Sequence, residues 1–257
     1  MAANLVFKDG FFQTESRCFD ASGLKDALQC FIANNKTYKS NYLQSCFDYG
    51  FDGYSFIGQK DSSNQYASDL LHSFVISDFH TPNRFPKEFN SFFSKEWNNL
   101  QIEIRKLELE IIAALKIDGL KEFYISTIGH MISCNYYPAV NTFTGNEKER
   151  LSAHADVSLF TIFPFGFDSD FLFQNNKGEW VNIPPTTDVI VFPGYLLEVF
   201  TDKRIKALNH KVALPKNVNK DRFSFAYFSL PYPEKTFMLA GETTTSEAYF
   251  KKYLELF

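Results

Sequence analysis

Apolar residues fall at helical spacing in one long stretch of this chain and at strand spacing through most of its second half. Trp97, Leu100, Ile104, Leu107, Ile111 and Leu115 recur every three or four positions, which predicts a helix over roughly 86–116. Glu103, Lys106 and Glu110 occupy its other side at pairing distance. Pro86 suits the first turn and Gly119 follows the end. This helix reads as scaffold. Nearer the N-terminus, Phe7 to Phe12 predicts a short strand and Leu24 to Ile32 a short helix after Ser22. Tyr49-Gly50-Phe51-Asp52-Gly53-Tyr54 reads as a glycine-aromatic loop.

After Gly119 the period changes from helical to alternating. Met131, Ser133, Asn135 and Tyr137 share one face of a strand, with Ile132, Cys134 and Tyr136 on the other. Ala153 to Phe163 predicts a second strand, with His154, Asp156, Ser158, Phe160 and Ile162 on one face. Phe171 to Gln174 and Glu179 to Ile183 flank Asn175-Asn176-Lys177-Gly178, a hairpin turn. Asp188 to Phe192, Lys206 to Ala213 and Arg222 to Ser229 complete the strands, and Ser246 to Phe257 predicts a closing helix. No repeat of 20–50 residues is visible. The fold expected is mainly β with helical support, a two-sheet barrel or jelly roll.

Composition narrows the partners. Thirty Phe and thirteen Tyr among 257 residues predict an aromatic core, with room for some rings to line a cavity. A net charge of −4 argues against nucleic acid, which needs a basic face. The four cysteines, at 18, 30, 46 and 134, lack metal-type spacing and read as free, mostly buried thiols of a reducing compartment. No apolar run approaches the ~20 residues of a membrane span, and no signal peptide is evident. We expect a cytoplasmic protein, a monomer, with no nucleic-acid or membrane partner.

Candidate chemistry sits in the second half. If Ala153–Phe163 is one strand, His154 and Asp156 project to the same side, and His210 on a later strand can supply a third ligand. Two imidazoles and one carboxylate make a facial Fe(II) site, whereas structural zinc more often takes four ligands. His72, His80 and His130 lack a nearby acidic partner on a strand and are set aside. Arg222 and Ser224 share a strand face, and a guanidinium fork beside a hydroxyl is a carboxylate receptor. An arginine pointing into a barrel demands an anion.

Together these residues resemble the isopenicillin N synthase-like branch of the Fe(II)/2-oxoglutarate-dependent oxygenases. The match runs through Asn135-Tyr136-Tyr137-Pro138, His154-Ala155-Asp156-Val157-Ser158-Leu159-Phe160-Thr161-Ile162, Gly178-Glu179-Trp180-Val181-Asn182-Ile183-Pro184-Pro185, Lys206 to Val212, and Arg222-Phe223-Ser224. It is strong over about 125–235 and weaker over 45–120. The resemblance implies a double-stranded β-helix (jelly roll, cupin-like) over 121–257 with a C-terminal helix. Residues 1–120 would be a helix-rich region packed on that core. His154, Asp156 and His210 would bind Fe(II). Arg222, Ser224, Tyr137 and Asn135 would hold 2-oxoglutarate as cosubstrate, with O2 as oxidant and ascorbate as a supporting reductant. The activity implied is hydroxylation, desaturation or cyclisation of a small molecule with release of succinate and CO2. The alternative within the family is an Fe(II)/O2 oxidase or oxidative cyclase that does not use 2-oxoglutarate; a non-catalytic jelly-roll binding protein is the remote one. Phe160, Phe228, Tyr136, Arg84 and Tyr54 are the candidates for the substrate wall. Two positions depart from the family pattern: Tyr195 stands where many relatives carry an acid, and Lys211 follows the distal His where Arg is usual.

Overall fold

The chain winds back and forth between two antiparallel sheets. The computed structural model describes residues 6–15, 20–49, 51–59, 69–139, 149–166, 168, 170–175, 177–214 and 220–255. Among them the elements run β1 (Phe12–Thr14), α1 (Ser22–Ala33), α2 (Lys36–Ser40), β2 (Gly53–Ser55), β3 (His72–Ser77), α3 (Asn98–Leu115), α4 (Leu120–Thr127), β4 (Ile128–Tyr137), β5 (Glu149–His154) and β6 (Phe160–Phe163). They continue with β7 (Phe171–Gln174), β8 (Trp180–Asn182), β9 (Val189–Pro193), α5 (Tyr195–Phe200), β10 (His210–Ala213), β11 (Arg222–Pro231), β12 (Thr236–Leu239), β13 (Glu242–Thr245) and α6 (Ser246–Leu254). The major sheet has the order β1-β9-β6-β11-β4-β3-β2 and the minor sheet β5-β10-β7-β8, with β12 and β13 pairing as a separate ribbon. From β4 to β11 the chain passes between major and minor sheets, and this alternation is a double-stranded β-helix. Three of the major strands, β1 to β3, precede residue 120, so the first part of the chain builds the barrel as well as packing on it.

Two apolar clusters separate inside from outside. Tyr137, Phe163, Phe171, Phe173, Ile190, Phe192, Leu208, Val212 and Ala226 fill the space between the sheets. Phe31, Phe74, Phe89, Phe92, Trp97, Leu100, Ile104, Leu107 and Ile111 belong to the cluster that backs the major sheet with helices. Each fully buried aromatic or aliphatic side chain contributes about 1.5–3 kcal/mol relative to exposure, which makes this double layer the main support of the fold. The helix predicted over 86–116 is helical from Lys87 to Leu115, but a π-turn at Phe93–Trp97 interrupts it before α3. Lys116 in the left-handed conformation ends it.

Several elements differ from the sequence expectation. Ala153–Phe163 is not one strand: β5 ends at His154, residues 155–159 form a turn, and β6 begins at Phe160 in the other sheet. Phe7–Phe12 contains a 3-10 turn at Lys8–Gly10, and the strand starts at Phe12. Gly53 and Tyr54, expected in a loop, pair with Val75 and Phe74 of β3. β3 itself shows little alternation because it is buried on both faces, where strands read as continuous apolar runs. Of the thiols described, Cys134 is buried but Cys30 and Cys46 are exposed, which corrects the expectation of mostly buried cysteines; Cys18 lies outside the described residues. No described helix is long and apolar enough to cross a membrane.

Candidate metal centre

His154 and His210 are cross-strand partners in the minor sheet, at the end of β5 and the start of β10. Asp156 reaches them from the 155–159 turn. The potential ligand atoms of the three lie within 4.8 Å of one another, Nε2 of His154 being 3.4 Å from Asp156 Oδ1 and Nε2 of His210 3.7 Å from Oδ2. Each imidazole is oriented the same way. Nδ1–H of His154 donates to the Ser152 carbonyl at 2.7 Å, and Nδ1–H of His210 to the Leu208 carbonyl at 3.1 Å. Protonation at Nδ1 leaves the Nε2 lone pairs directed at the centre, the tautomer a metal requires. Phe171 stacks on the His210 ring at 5.2 Å and Phe192 lies 5.0 Å away.

Electrostatics favour the ligating forms of His210 and Asp156, and the protonated form of His154. Burial and the neighbouring His154 push His210 down to about 4 against the pull of Asp156, so its imidazole is neutral at pH 7. Burial opposes charge on Asp156, yet His210, His154 and Thr161 together hold it below the usual carboxylate range. His154 is raised despite burial, because Asp156 bonds and attracts its protonated form. Thr161 Oγ1 donates to Asp156 Oδ2 at 2.7 Å, and the Ser158 and Thr161 hydroxyls are 2.9 Å apart. The group can hold a divalent metal from one side.

The turn carrying Asp156 is fixed through its backbone. Five consecutive carbonyls each accept a hydrogen bond: Ala155 from the Tyr253 hydroxyl at 2.6 Å, Asp156 from Tyr195 N at 2.7 Å, Val157 from the Tyr249 hydroxyl at 2.5 Å, Ser158 from Leu196 N at 3.1 Å and Leu159 from Gly194 N at 3.1 Å. Three donors come from the start of α5, whose first N–H groups have no partner within the helix. Two come from α6. Gly194 is required here because a Cβ would stand 2.1 Å from the Ser158 carbonyl oxygen. Tyr195, the departure from the family pattern, stacks 6.3 Å from Tyr249 and lies 5.9 Å from Tyr253. Its ring joins the two tyrosines that hold the turn.

The candidate carboxylate receptor lies on the neighbouring sheet. Arg222 and Ser224 of β11 pair with Tyr137 and Asn135 of β4, and all four are buried. The Arg222 guanidinium lies 4.8 Å from the Tyr137 ring centroid and donates through Nε to Asp168 at 2.6 Å. Its Nη1 and Nη2 are buried without a hydrogen-bond partner. Burial pushes the Tyr137 phenol up, with Arg222 and a hydrogen bond from Ser224 opposing. Ser133 Oγ donates to Asn135 Oδ1 at 3.0 Å and touches Ser73 Oγ at 2.9 Å, extending the polar row. A buried guanidinium with unpartnered nitrogens has the donor chemistry for an incoming carboxylate.

The substrate-wall candidates divide. Phe228 lies opposite Thr161 on the inner face, one strand from the Asp156 contact. Phe160 turns to the other face and packs with Phe7, because the break at 155–159 changes the parity that one continuous strand would have kept. Tyr136 stacks between His72 and Phe223 on the outer face, and Tyr54 donates to or accepts from His72 Nδ1 at 2.8 Å in the same stack. Arg84 is a surface residue that donates to the Cys46 carbonyl and lies 3.7 Å from Asp48. Two of the histidines set aside have acidic partners that are not on strands: His130 Nε2 meets Glu108 at 2.8 Å and His80 Nδ1 meets Asp52 at 2.5 Å. Both partners are remote in sequence, on α3 and in the turn before β2. Thr161 and the tyrosines of α6 were also missed; the Thr in the motif strand was the one available signal.

Residues 128–231 match the 2OG-Fe(II) oxygenase superfamily, the family that the motifs resemble. The chain is 27% identical over 216 residues to proline hydroxylase buaE of Petromyces alliaceus, covering 70% of this chain and 63% of that protein. It is 30% identical over 173 residues to 1-aminocyclopropane-1-carboxylate oxidase 4 of Arabidopsis thaliana, covering 62% and 49%. The chain thus spans less than two thirds of the length of these curated relatives. The fold superposes on the crystal structure of a full-length Neurospora crassa protein in complex with alpha-KG with a TM-score of 0.76 at 20% identity, over 99% of this chain and 89% of that one.

Proposed function

We propose that this chain, whose residues 128–231 match the 2OG-Fe(II) oxygenase superfamily, is a non-haem Fe(II)- and 2-oxoglutarate-dependent oxygenase acting on a small molecule. One observation carries the reading. The His154, Asp156 and His210 group, through His210 on Phe171 and Phe192, and Arg222 with unpartnered Nη1 and Nη2, through Tyr137, border the same apolar cluster between the sheets. A metal group alone would suit many proteins; its company with a carboxylate receptor selects a reaction that needs both.

His154, Asp156 and His210 would hold Fe(II), and Arg222 with Ser224 would hold the far carboxylate of 2-oxoglutarate, with Tyr137 and Asn135 beside it. Bound iron, 2-oxoglutarate and O2 supply the oxidising chemistry. The protein's share is placement. Thr161 fixes the Asp156 carboxylate, the Ser152 and Leu208 carbonyls fix the imidazoles, and Phe171 and Phe192 keep water from the His210 side. Phe228 on the inner face is the wall candidate that remains beside the centre. Hydroxylation, desaturation and cyclisation would differ in the substrate pose that such walls impose.

The test is anaerobic addition of 2-oxoglutarate to the Fe(II)-loaded protein, followed by the visible metal-to-ligand charge-transfer band and, in air, by succinate release. Stoichiometric iron and a band are expected, with both lost in His154→Ala. Failure to bind iron sinks the reading. The similarity to an aminocyclopropane carboxylate oxidase keeps the second reading, an Fe(II)/O2 oxidase, in view; iron binding without the band would favour it.

A further inference from the structure

Arg222 is not the only arginine at the carboxylate end of the barrel. Arg150 lies on β5, four residues before His154, and is 1% exposed, the largest of the fully buried side chains. Its guanidinium carbon is 5.9 Å from the centroid of the Tyr137 ring, the same ring that Arg222 approaches at 4.8 Å. The two cations therefore share a neighbour, although one comes from the minor sheet and the other from the major sheet.

Their partners differ. Arg222 has the Asp168 carboxylate on its Nε. Arg150 forms no ion pair among the described residues. Its Nη2 donates over long distances to two backbone carbonyls, 3.5 Å to Pro138 and 3.4 Å to Lys220, and its Nε is buried without a hydrogen-bond partner. Asp170 and Asp168 attract Arg150 without forming an ion pair with it, and a guanidinium cannot escape burial by losing its proton, so its buried donors are short of partners until an anion arrives. Arg150 Nε with Arg222 Nη1 and Nη2 make three buried donor nitrogens around one tyrosine. Such a group calls for an anion with several acceptor lone pairs.

We infer that Arg150 is a second guanidinium of the receptor for the cosubstrate's far carboxylate, and that it makes the pocket selective for a 2-oxo acid with an anionic far end. The inference rests on the proposed use of 2-oxoglutarate. The competing role is structural: Arg150 would only tie the end of β4, through Pro138, to the approach to β11, through Lys220.

Arg150→Gln and Arg150→Lys separate the two. Anaerobic titration of the Fe(II) protein, read by the charge-transfer band, would give the affinity for 2-oxoglutarate and for 2-oxovalerate, which has the same chain length and an uncharged end. Removing a charge-assisted hydrogen bond should weaken 2-oxoglutarate by about 10- to 100-fold in Arg150→Gln. Affinity for 2-oxovalerate and for iron should stay at the wild-type value, and Arg150→Lys should recover part of the loss. Unchanged 2-oxoglutarate affinity overturns the inference alone. So does an equal loss for both acids, or a loss that follows a fall in iron binding or melting temperature, because a structural tie would produce either. If Arg150→Gln does not fold, Arg150→Lys decides: it keeps the charge but not the fork, and equal weakening of both acids overturns the inference. A wild-type protein that shows no band with 2-oxoglutarate overturns the cosubstrate reading itself, and this inference with it.

Discussion

The Tyr253 hydroxyl donates to the Ala155 carbonyl at 2.6 Å across 98 positions of sequence. The last helix thereby holds the backbone between two of the candidate metal ligands. Tyr249 does the same for Val157 one step on. The position of the Asp156 turn thus depends on hydrogen bonds from a helix remote in sequence.

Replacing both tyrosines should loosen the turn while keeping the rings. In Tyr249→Phe/Tyr253→Phe each lost hydrogen bond removes about 0.5–1.5 kcal/mol, which at this size lowers the melting temperature by roughly 2–4 °C per kcal/mol. Iron affinity should fall several-fold beyond that of a surface variant of equal stability. Unchanged iron affinity, measured by anaerobic titration, would mean that the turn holds its shape without α6.

Thr161→Val tests the support of the carboxylate. The change keeps shape and removes the donor to Asp156 Oδ2. Loss of such a supporting contact lowers metal affinity by roughly 10- to 100-fold. The measurement is competition against a chelator of known affinity, and a wild-type value would show Asp156 oriented by the backbone alone.

Gly194→Ala should act by collision. Gly194 has φ −97°, open to any residue, so no backbone strain is involved. The new methyl would meet the Ser158 carbonyl oxygen at 2.1 Å and push the ligand turn, costing about 1–3 kcal/mol. We expect reduced iron occupancy in protein that still folds; full occupancy at wild-type stability would contradict the close approach.

His72 gives a pH dependence away from the centre. Burial, with a contribution from Lys39, pushes it down to about 4 from an ordinary value near 6.5. The unfolded chain therefore binds the proton more readily than the folded one between these values. The associated stability is fully present above pH 6.5 and is lost as pH falls towards 4, with a ceiling of about 3 kcal/mol. In His72→Phe, which keeps a ring between Tyr54 and Tyr136, unfolding by urea should lose less stability over that window. Parallel curves for the two proteins would remove His72 as the source.

Much of the centre was legible because its residues sit in short motifs. His154, Asp156, Arg222 and Ser224 fall within two stretches whose side chains keep fixed spacings. The faces of β4 and β11 followed from strand parity, while the register that sets Arg222 opposite Tyr137 and Ser224 opposite Asn135 came only with the sheet. Parity failed for Phe160, because it holds only while the strand is unbroken and the chain changes sheets at 155–159. Tyr136 and Tyr54 were aromatic residues near the right motifs, but proximity in sequence does not say which side of a sheet a ring occupies.

The sequence by itself determined the period of most stretches and singled out the candidate ligand set and the candidate carboxylate receptor, because these are local properties of residue type and spacing. Tertiary structure alone decided what supports them. Tyr249 and Tyr253 reach the Asp156 turn from the end of the chain, Glu108 meets His130 from a distant helix, and Arg150 lies beside Tyr137 from the opposite sheet. Such contacts exist only once both sheets and the last helix are in place, and no local pattern encodes which distant groups the closed barrel will bring together.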